Sequence, residues 1–201
     1  MTHKQIYLCG GISHQTLGQS QDWREEVAAL LDGIHEQPSG ASVTLLTYSP
    51  LRGETFFRDI KPDEKFSPTL KDNASLISTP NGVLGRDLND VANASLVLAN
   101  FLPSPDKVSI GSVFEIGYAR AKGIPVVMVI QESGNIHDHI FLTNSANYIV
   151  RSLEDAVAVS KFLLLPQMAP APKLKAGGLD HHGRVILSEP DERGRYQARP
   201  F

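Results

Sequence analysis

The chain has 201 residues, of which 41% are hydrophobic and 20% are charged, so its composition predicts a globular protein with one sizeable core. The formal net charge of −3 gives no general argument for binding nucleic acid or an anionic membrane. No apolar run approaches the roughly 20 residues of a membrane-spanning helix, and no signal peptide precedes the first apolar run. We therefore expect a cytoplasmic protein.

The chain contains a single cysteine, Cys9, which excludes an internal disulfide and agrees with a reducing compartment. Because Cys9 ends an apolar run, we expect a buried and inert side chain rather than a nucleophile.

Apolar runs and helical periodicities alternate along residues 1–165. The predicted strands are 5–9, 42–48, 95–101, 124–130 and 148–150. The predicted helices are 21–33, 81–93, 110–122 and 153–165, of which the first is capped by Ser20 and the last by Ser152. Residues 51–80 lack a clean periodicity, which is typical of a functional or mobile segment. The alternation predicts an α/β domain with a doubly wound, mostly parallel sheet of five strands.

Residues 166–201 differ in character and form the predicted C-terminal extension. Residues 166–172 are rich in proline and predict a semi-extended linker, and 184–187 are compatible with one strand. Six Lys/Arg against four Asp/Glu leave a local excess of two positive charges, too small to predict nucleic-acid binding. This part is either a solvated tail or an arm that packs on a neighbouring subunit.

Glu115 is the most informative residue of the chain. It lies in a glycine-containing turn and helix between two apolar runs, so we expect it at the carboxyl edge of the sheet, where open α/β sheets bind ligands. We also expect the helix N-terminus to keep this carboxylate ionised at neutral pH.

Four elements are predicted to converge at this edge. They are the turn after the first strand (Gly10, Gly11, Ser13, His14), the helix carrying Asp87 and Asp90, the turn from Ser109 to Glu115, and the segment after the strand at 124–130. Asp87 and Asp90 are three residues apart and share a helix face. Paired carboxylates suit glycosidic chemistry, in which one is a nucleophile or base and the other protonates the leaving group. The alternative is that both aspartates belong to a solvated helix face.

Five short motifs follow one another in a fixed order within residues 5–150. They are Ile-Tyr-Leu-Cys-Gly-Gly (6–11), Arg-Asp-Leu (86–88), Ser-Leu-Val-Leu-Ala (95–99), Gly-Ser-Val-Phe-Glu-Ile-Gly-Tyr-Ala (111–119) and Gly-Ile-Pro-Val-Val (123–127). Together they resemble the nucleoside 2-deoxyribosyltransferase superfamily, which includes the nucleoside 5′-monophosphate N-glycosidases. The resemblance implies a flavodoxin-like, Rossmann-like fold and cleavage of the N-glycosidic bond through a covalent glycosyl-enzyme.

The resemblance also assigns roles to individual residues. Glu115 matches the nucleophile that attacks C1′, Asp87 matches the aspartate that helps to protonate the leaving base, and Tyr7 matches the tyrosine that orients the nucleophile. Ser109 stands where the transferases carry an aspartate for the sugar hydroxyls, and it resembles the phosphate-contacting serine of the monophosphate N-glycosidases. Gly111 belongs to the same turn, and the 10–14 turn could supply further phosphate donors.

Residues 134–139 lie where family members lend residues to the site of an adjacent subunit. The resemblance therefore implies that His137 and Asp138 help to bind substrate in a homo-oligomer, a dimer or larger, with shared active sites. His137 and His139 could instead ligate a metal, but two histidines without a third ligand nearby are a weak signal, so no metal site is predicted.

Two other enzyme classes fit the sequence less well. The Gly111-to-Glu115 segment is also similar to an element of the phosphoribohydrolases of the lysine-decarboxylase-like family, but the Pro-Gly-Gly that precedes it there is missing. The Gly-x-Gly-x-x-Gly pattern of a dinucleotide-binding dehydrogenase is missing as well. A strict 5′-monophosphate N-hydrolase and a non-catalytic nucleotide-binding or sensing module remain open. The favoured prediction is an enzyme that transfers or hydrolyses the N-glycosidic bond of (deoxy)nucleosides or their 5′-monophosphates without a cofactor.

Overall fold

A computed structural model of the chain describes residues 2–13, 15–53, 61–65, 79–102, 107–165, 176–179 and 185–187. The strands are β1 (Thr2–Gly10), β2 (Gly33–Glu36), β3 (Ser42–Tyr48), β4 (Leu96–Asn100), β5 (Val126–Val129), β6 (Tyr148–Val150), β7 (Ala176–Leu179) and β8 (Val185–Leu187). The helices are α1 (Leu17–Leu31), α2 (Pro80–Asn93), α3 (Ile110–Ala121), α4 (Ile140–Ser145) and α5 (Leu153–Leu164). None of the described helices is long and apolar enough to cross a membrane.

The strands form one sheet in the order β2-β3-β1-β4-β5-β6-β8-β7. Its centre is the run β3-β1-β4-β5-β6, in which every neighbouring pair is parallel. This is the doubly wound order in which the chain starts in the middle of the sheet and reverses direction beside β1. The predicted α/β fold with five central parallel strands is confirmed.

Three further strands extend this centre. β2 pairs antiparallel with β3, β8 pairs parallel with β6, and β7 pairs antiparallel with β8. β2 was not predicted because it is a short edge strand whose Ile34 is exposed, so it shows no alternation between buried and exposed residues. Part of the predicted C-terminal arm thus extends this chain's own sheet. The boundary at residue 165 remains a prediction.

The hydrophobic core lies in two layers, one on each face of the sheet. Strand alternation sends Ile6 and Leu8 of β1 into the layer formed with α1 and α5. The same alternation sends Tyr7 and Cys9 into the layer formed with α2 and α3. β1 therefore contributes to both layers, and its last residues reach the carboxyl edge.

Two helix N-termini were predicted, one correctly. Ser152 caps α5 by accepting a hydrogen bond from the Asp155 amide, as expected. α1, however, begins before Ser20, because Thr16 forms a capping box with Gln19. The Ser20 hydroxyl instead donates to the Thr16 carbonyl oxygen at 3.0 Å, inside the helix.

The segment 51–80, which had no predicted structure, is described only in part. Residues 61–65 cover the start of α1, since the Gly18 amide donates to the Pro62 carbonyl oxygen at 2.9 Å. Residues 54–60 and 66–78 lie outside the described residues.

Gly10 is the tightest point of the sheet edge. A Cβ atom at this position would lie 2.9 Å from the Asn100 carbonyl oxygen and 2.9 Å from Cζ2 of Trp23. Both neighbours belong to packed elements, β4 and α1, so neither moves at low cost. The end of β1 is thus restricted to glycine by close packing.

We predict that G10A lowers the free energy of unfolding by roughly 1–3 kcal/mol, because β1 and α1 must separate to admit a methyl group. Urea denaturation followed by circular dichroism measures the change. G85A is the matched control: nothing lies within 4 Å of a Cβ on this α2 glycine, and helix propensity predicts a gain of up to about 1 kcal/mol. Equal stabilities of G10A and the parent would contradict the packing argument.

Candidate active site

A cavity of about 460 Å³ opens at the carboxyl edge of the sheet. The residues that line it are Gly10, Gly11, Ile12, Ser13, Pro50, Asp87, Lys107, Val108, Ser109, Ile110, Gly111, Ser112 and Glu115. Three of the four predicted elements therefore meet at one cavity: the turn after β1, helix α2 and the start of α3. The fourth, the segment after β5, does not line it, so that part of the prediction is wrong. His14, also predicted for this turn, lies outside the described residues.

Glu115 is held in place by β1. The Tyr7 hydroxyl donates a hydrogen bond to Oε1 of Glu115 at 2.8 Å, and Tyr7 itself is fully buried. Burial, together with the negative charges of Glu115 and Asp87, raises the pKa of Tyr7 well above its ordinary value. The phenol therefore remains a hydrogen-bond donor throughout the neutral pH range.

The expectation that the helix N-terminus keeps Glu115 ionised at neutral pH is wrong. Burial raises the pKa of Glu115 to about 7, against the lowering effect of hydrogen bonds from Cys9 and Tyr7. Glu115 is the sixth residue of α3, beyond the first turn in which the helix dipole acts. Desolvation consequently outweighs the helix, and the carboxyl group is divided between its two ionisation states near pH 7.

Asp87 faces the same cavity from α2. Burial raises its pKa to about 6, and the positive charge of Arg86 and its hydrogen bond from Nε to Asp87 Oδ1 at 3.1 Å oppose that rise. Asp87 is 8% exposed, so the alternative of a solvated helix face is wrong.

Asp90, predicted as a third site carboxylate, does not line the cavity. It is buried on the same helix face and forms an ion pair with Arg52, whose guanidinium also lies over the Tyr48 ring. Arg86 Nη2 donates to the Pro50 carbonyl oxygen at 2.7 Å. Asp90 and Arg86 thus bind the loop after β3 to α2. This loop carries Pro50, which lines the cavity.

A buried arginine behind the cavity was not predicted. Arg24 of α1 donates from Nη2 to the Gly10 carbonyl oxygen at 3.0 Å and from Nε to that of Leu8 at 3.4 Å, and it also bonds the Ser20 carbonyl. Burial lowers the pKa of Arg24 to about 10, which leaves it charged at neutral pH. Its charge also lowers the pKa of Glu115.

The sequence did contain a signal for this residue. Arg24 precedes Val27 by three residues and Leu31 by seven, so helical spacing places it on the apolar face of α1. A lone arginine on such a face is expected to be buried with hydrogen-bond partners.

The start of α3 is the polar end of the cavity. Ser109 is the N-cap residue, and its Oγ lies 2.9 Å from Oγ of Ser112. Ser112 was overlooked in the sequence, although it precedes Glu115 by three residues and therefore shares its helix face. The exposed Lys107 lines the cavity beside them.

The two remaining predicted residues, His137 and Asp138, do not line this chain's cavity. His137 is buried and its Nε2 accepts a hydrogen bond from the Ser109 amide at 2.8 Å, whereas Asp138 is exposed. His139 is exposed and caps α4 through Nδ1. Among the described residues, no three or more His, Cys, Asp or Glu side chains are grouped as metal ligands.

The geometry provides an acid and a base around one cavity. Two carboxyl groups, Glu115 and Asp87, have pKa values raised to about 7 and about 6, so both titrate close to neutral pH. Such a pair can hold one ionised and one protonated member at the same time, which is the requirement for attack by one and proton donation by the other.

Comparisons with known proteins identify the family of the chain. The family model of the nucleoside 2-deoxyribosyltransferases matches residues 6–157, which is more than half of the chain. The matched region runs from β1 into α5 and includes Tyr7, Asp87 and Glu115. No curated protein sequence matches the chain significantly.

Two solved structures are similar in outline. A conserved protein from Enterococcus faecalis V583 is 18% identical, with 78% of this chain and 96% of that chain covered and a TM-score of 0.47. The CMP N-glycosidase BcmB of Clostridium botulinum is 18% identical, with 80% and 100% covered and a TM-score of 0.44. Similarity at this level carries no argument about function. From the family model alone, the chain belongs to the nucleoside 2-deoxyribosyltransferase family.

Proposed function

We propose that this protein cleaves the N-glycosidic bond of a (deoxy)nucleoside or its 5′-monophosphate through a covalent glycosyl-Glu115 intermediate. The observation that carries the proposal is the hydrogen bond of 2.8 Å between Tyr7 and Glu115, at a cavity that Asp87 also lines. Membership of the family supports glycosyl transfer or N-glycoside hydrolysis in general.

In the first step, the ionised Glu115 carboxylate attacks C1′ of the sugar and forms a glycosyl ester as the bond to the base breaks. The electron pair of that bond leaves with the base, which receives a proton from Asp87. Tyr7 fixes Oε1 of Glu115 and so orients the carboxylate for attack. The raised pKa of Asp87 supports its role, because an ordinary aspartate would hold almost no proton at neutral pH.

In the second step, the incoming nucleophile attacks C1′ and breaks the ester bond, which regenerates the Glu115 carboxylate, while the proton of the nucleophile passes to the Asp87 carboxylate and restores the acid. A second base gives transfer, and water gives hydrolysis. The nucleophile and the acid both come from the protein, so the proposal includes no metal and no organic cofactor.

A 5′-monophosphate substrate is favoured by the polar end of the cavity. Ser109 and Ser112 supply hydroxyl groups at the start of α3, and Lys107 supplies a positive charge beside them. A helix N-terminus with hydroxyls and an ammonium group suits a phosphate better than an uncharged sugar hydroxyl. The second candidate is therefore a strict nucleoside 5′-monophosphate N-hydrolase.

We predict that the purified protein releases free base from deoxynucleoside 5′-monophosphates faster than from the matching deoxynucleosides. Chromatography of a panel of both classes, each with and without a second free base, measures release and exchange. Release without an acceptor identifies a hydrolase, and exchange that requires the second base identifies a transferase. Equal use of nucleosides and monophosphates would contradict the phosphate argument. Nucleotide binding without any release would favour a sensing module.

A second prediction concerns Glu115. E115Q should lose at least about a thousandfold in cleavage rate while remaining folded, because an amide cannot replace the attacking carboxylate.

E115Q should also be more stable than the parent at pH 8, by at most about 3 kcal/mol, since the pKa of the native carboxyl group is about 7 instead of 4.5. Between pH 4.5 and about 7, the native parent keeps a proton on Glu115 that the unfolded chain has lost, so the stability of the parent falls as pH rises through this range.

Cleavage assays and urea denaturation at pH 4 and pH 8 measure both effects, and the stability difference should vanish at pH 4. E26Q, at an exposed position of α1, is the control that should change neither quantity. An active E115Q protein would exclude the covalent mechanism.

We also propose a homo-oligomer whose sites are shared between subunits. α3 and α4 are neighbours and expose large apolar side chains beside the cavity: Ile110, Phe114, Ile140 and Phe141 are 74%, 54%, 61% and 78% exposed. Neighbouring exposed side chains of this size are typical of an interaction surface.

We predict a mass in solution of at least twice 21.9 kDa by light scattering, and a smaller mass for F141S. I34S is the matched control, because Ile34 is 61% exposed on the opposite edge of the sheet. A parent protein that is monomeric at micromolar concentration would refute the shared site.

A further inference from the structure

His137 is the least exposed of the described histidines, at 1% exposed, and its ring is fixed on every side. It stacks on Phe101, with ring centroids 4.3 Å apart and 21° between the planes. Nε2 accepts from the Ser109 amide at 2.8 Å, and Nδ1 lies 3.2 Å from Oδ1 of Asn135. Asn135 is in turn anchored by a hydrogen bond from Nδ2 to the Phe101 carbonyl oxygen at 2.7 Å.

These contacts assign the protonation state of the imidazole. A backbone amide is only a donor, so Nε2 facing it must carry a lone pair. The Asn135 amide nitrogen donates to Phe101, so its oxygen faces the ring and accepts from Nδ1–H. The bonded form is consequently the neutral imidazole with its proton on Nδ1.

The amide that His137 holds belongs to the wall of the cavity. Ser109 is the N-cap of α3, but its own side chain makes no capping bond and points to Ser112 instead. Both serines line the cavity. The Ser109 carbonyl oxygen accepts from the Val113 amide inside the helix at 3.0 Å, whereas the Ser109 amide finds its acceptor outside the helix, in His137.

We propose that His137 is a positioning residue: its neutral imidazole holds the Ser109 amide and so sets the substrate-facing start of α3, and protonation of the ring releases it. His137 does not line the cavity and acts through Ser109. The inference rests on the proposed function for its kinetic consequence, but its structural content does not depend on which substrate is used.

The surroundings of the ring favour the neutral form. Burial lowers the pKa of His137 below its ordinary value of 6.5, and no charged group of the described residues acts on it in either direction. Glu132 and Asp138 on its own loop, Lys107 before α3 and His139 before α4 are all exposed. The neutral imidazole accepts from the Ser109 amide at pH 7 and above. This hydrogen bond is lost as pH falls through the lowered pKa of His137.

The first test is nitrogen NMR of the parent protein labelled with ¹⁵N-histidine. At pH 8 we expect the His137 ring to carry its proton on Nδ1 and an unprotonated Nε2. A ring that carries its proton on Nε2 would overturn the proposal. This measurement needs no substitution, so it is decisive even if a variant fails to fold.

The second test compares two substitutions by hydrogen exchange of the Ser109 amide at pH 8. H137F keeps a flat ring on Phe101 but removes the acceptor, and it should raise the exchange rate about tenfold or more. H137Q can place its carbonyl oxygen near the position of Nε2 and should keep the rate within about threefold of the parent. Unchanged exchange in H137F would overturn the proposal.

The kinetic test uses the deoxynucleoside 5′-monophosphate that is cleaved fastest. H137F should raise KM about tenfold and leave kcat within about threefold, because Glu115 and Asp87 are untouched, and H137Q should restore KM. In the parent, KM should rise more steeply than in H137Q as pH falls through the lowered pKa of His137, because H137Q keeps the titrations of both carboxyl groups. A fall in kcat with unchanged KM would overturn the positioning role. If no substrate is cleaved, the proposed function fails. The NMR and hydrogen-exchange measurements still test whether His137 holds the Ser109 amide.

Discussion

The site depends on one interaction, the burial of the Glu115 carboxyl group against the hydroxyl of Tyr7. Burial alone favours the neutral acid, and the hydrogen bonds from Tyr7 and Cys9 favour the ionised form. The balance leaves the pKa of Glu115 at about 7, so near neutral pH the group is neither fully protonated nor fully ionised. In the proposed mechanism, a carboxylate that is poorly solvated but still ionisable has little hydration to lose before it attacks C1′.

The same strand that holds Glu115 also builds the core. Along β1, Ile6 and Leu8 pack beneath the sheet, while Tyr7 and Cys9 face α3 and the carboxyl group. Successive side chains of a strand point to opposite faces, so Ile6 and Leu8 lie in one layer and Tyr7 and Cys9 in the other. At Gly10 the strand ends, and the missing side chain allows the Trp23 ring, the Arg24 guanidinium and β4 to come close. Core packing and site geometry are thus set by consecutive residues and cannot vary independently.

Much of this arrangement could be predicted from the sequence, because it follows from periodicity and from ordered motifs. The central parallel strands, the capping of α5 by Ser152, and the placing of Asp87 and Glu115 at one cavity required only local patterns and chain order. The pairing of Asp90 with Arg52 could not be predicted, since it joins α2 to a loop without periodicity. The raised pKa of Glu115 also escaped prediction, because desolvation is a property of the assembled layers and not of the helix.

The contrast between His137 and Arg24 shows the same limit. Both are polar residues buried in the structure, and both act on backbone groups of the cavity wall. Helical spacing was sufficient to expect a buried Arg24, whereas His137 lies in a loop, where no periodicity distinguishes a buried ring from an exposed one. The role that the resemblance implies for the 134–139 segment at a neighbouring subunit's site stays a prediction, and only the fold shows which atoms of this segment reach Ser109.

Cys9 gives the protein a built-in reporter. It is the only cysteine of the chain, it is fully buried, and its thiol donates to the Ser112 carbonyl oxygen at 3.7 Å. Burial, and after it the negative charge of Glu115, raises the pKa of this thiol well above its ordinary value. The S–H stretching vibration falls in an infrared window that is free of other protein bands, and its frequency depends on the acceptor of the proton. A single vibrational band should therefore report the charge on the neighbouring Glu115 carboxyl group as it titrates, with no label attached to the protein.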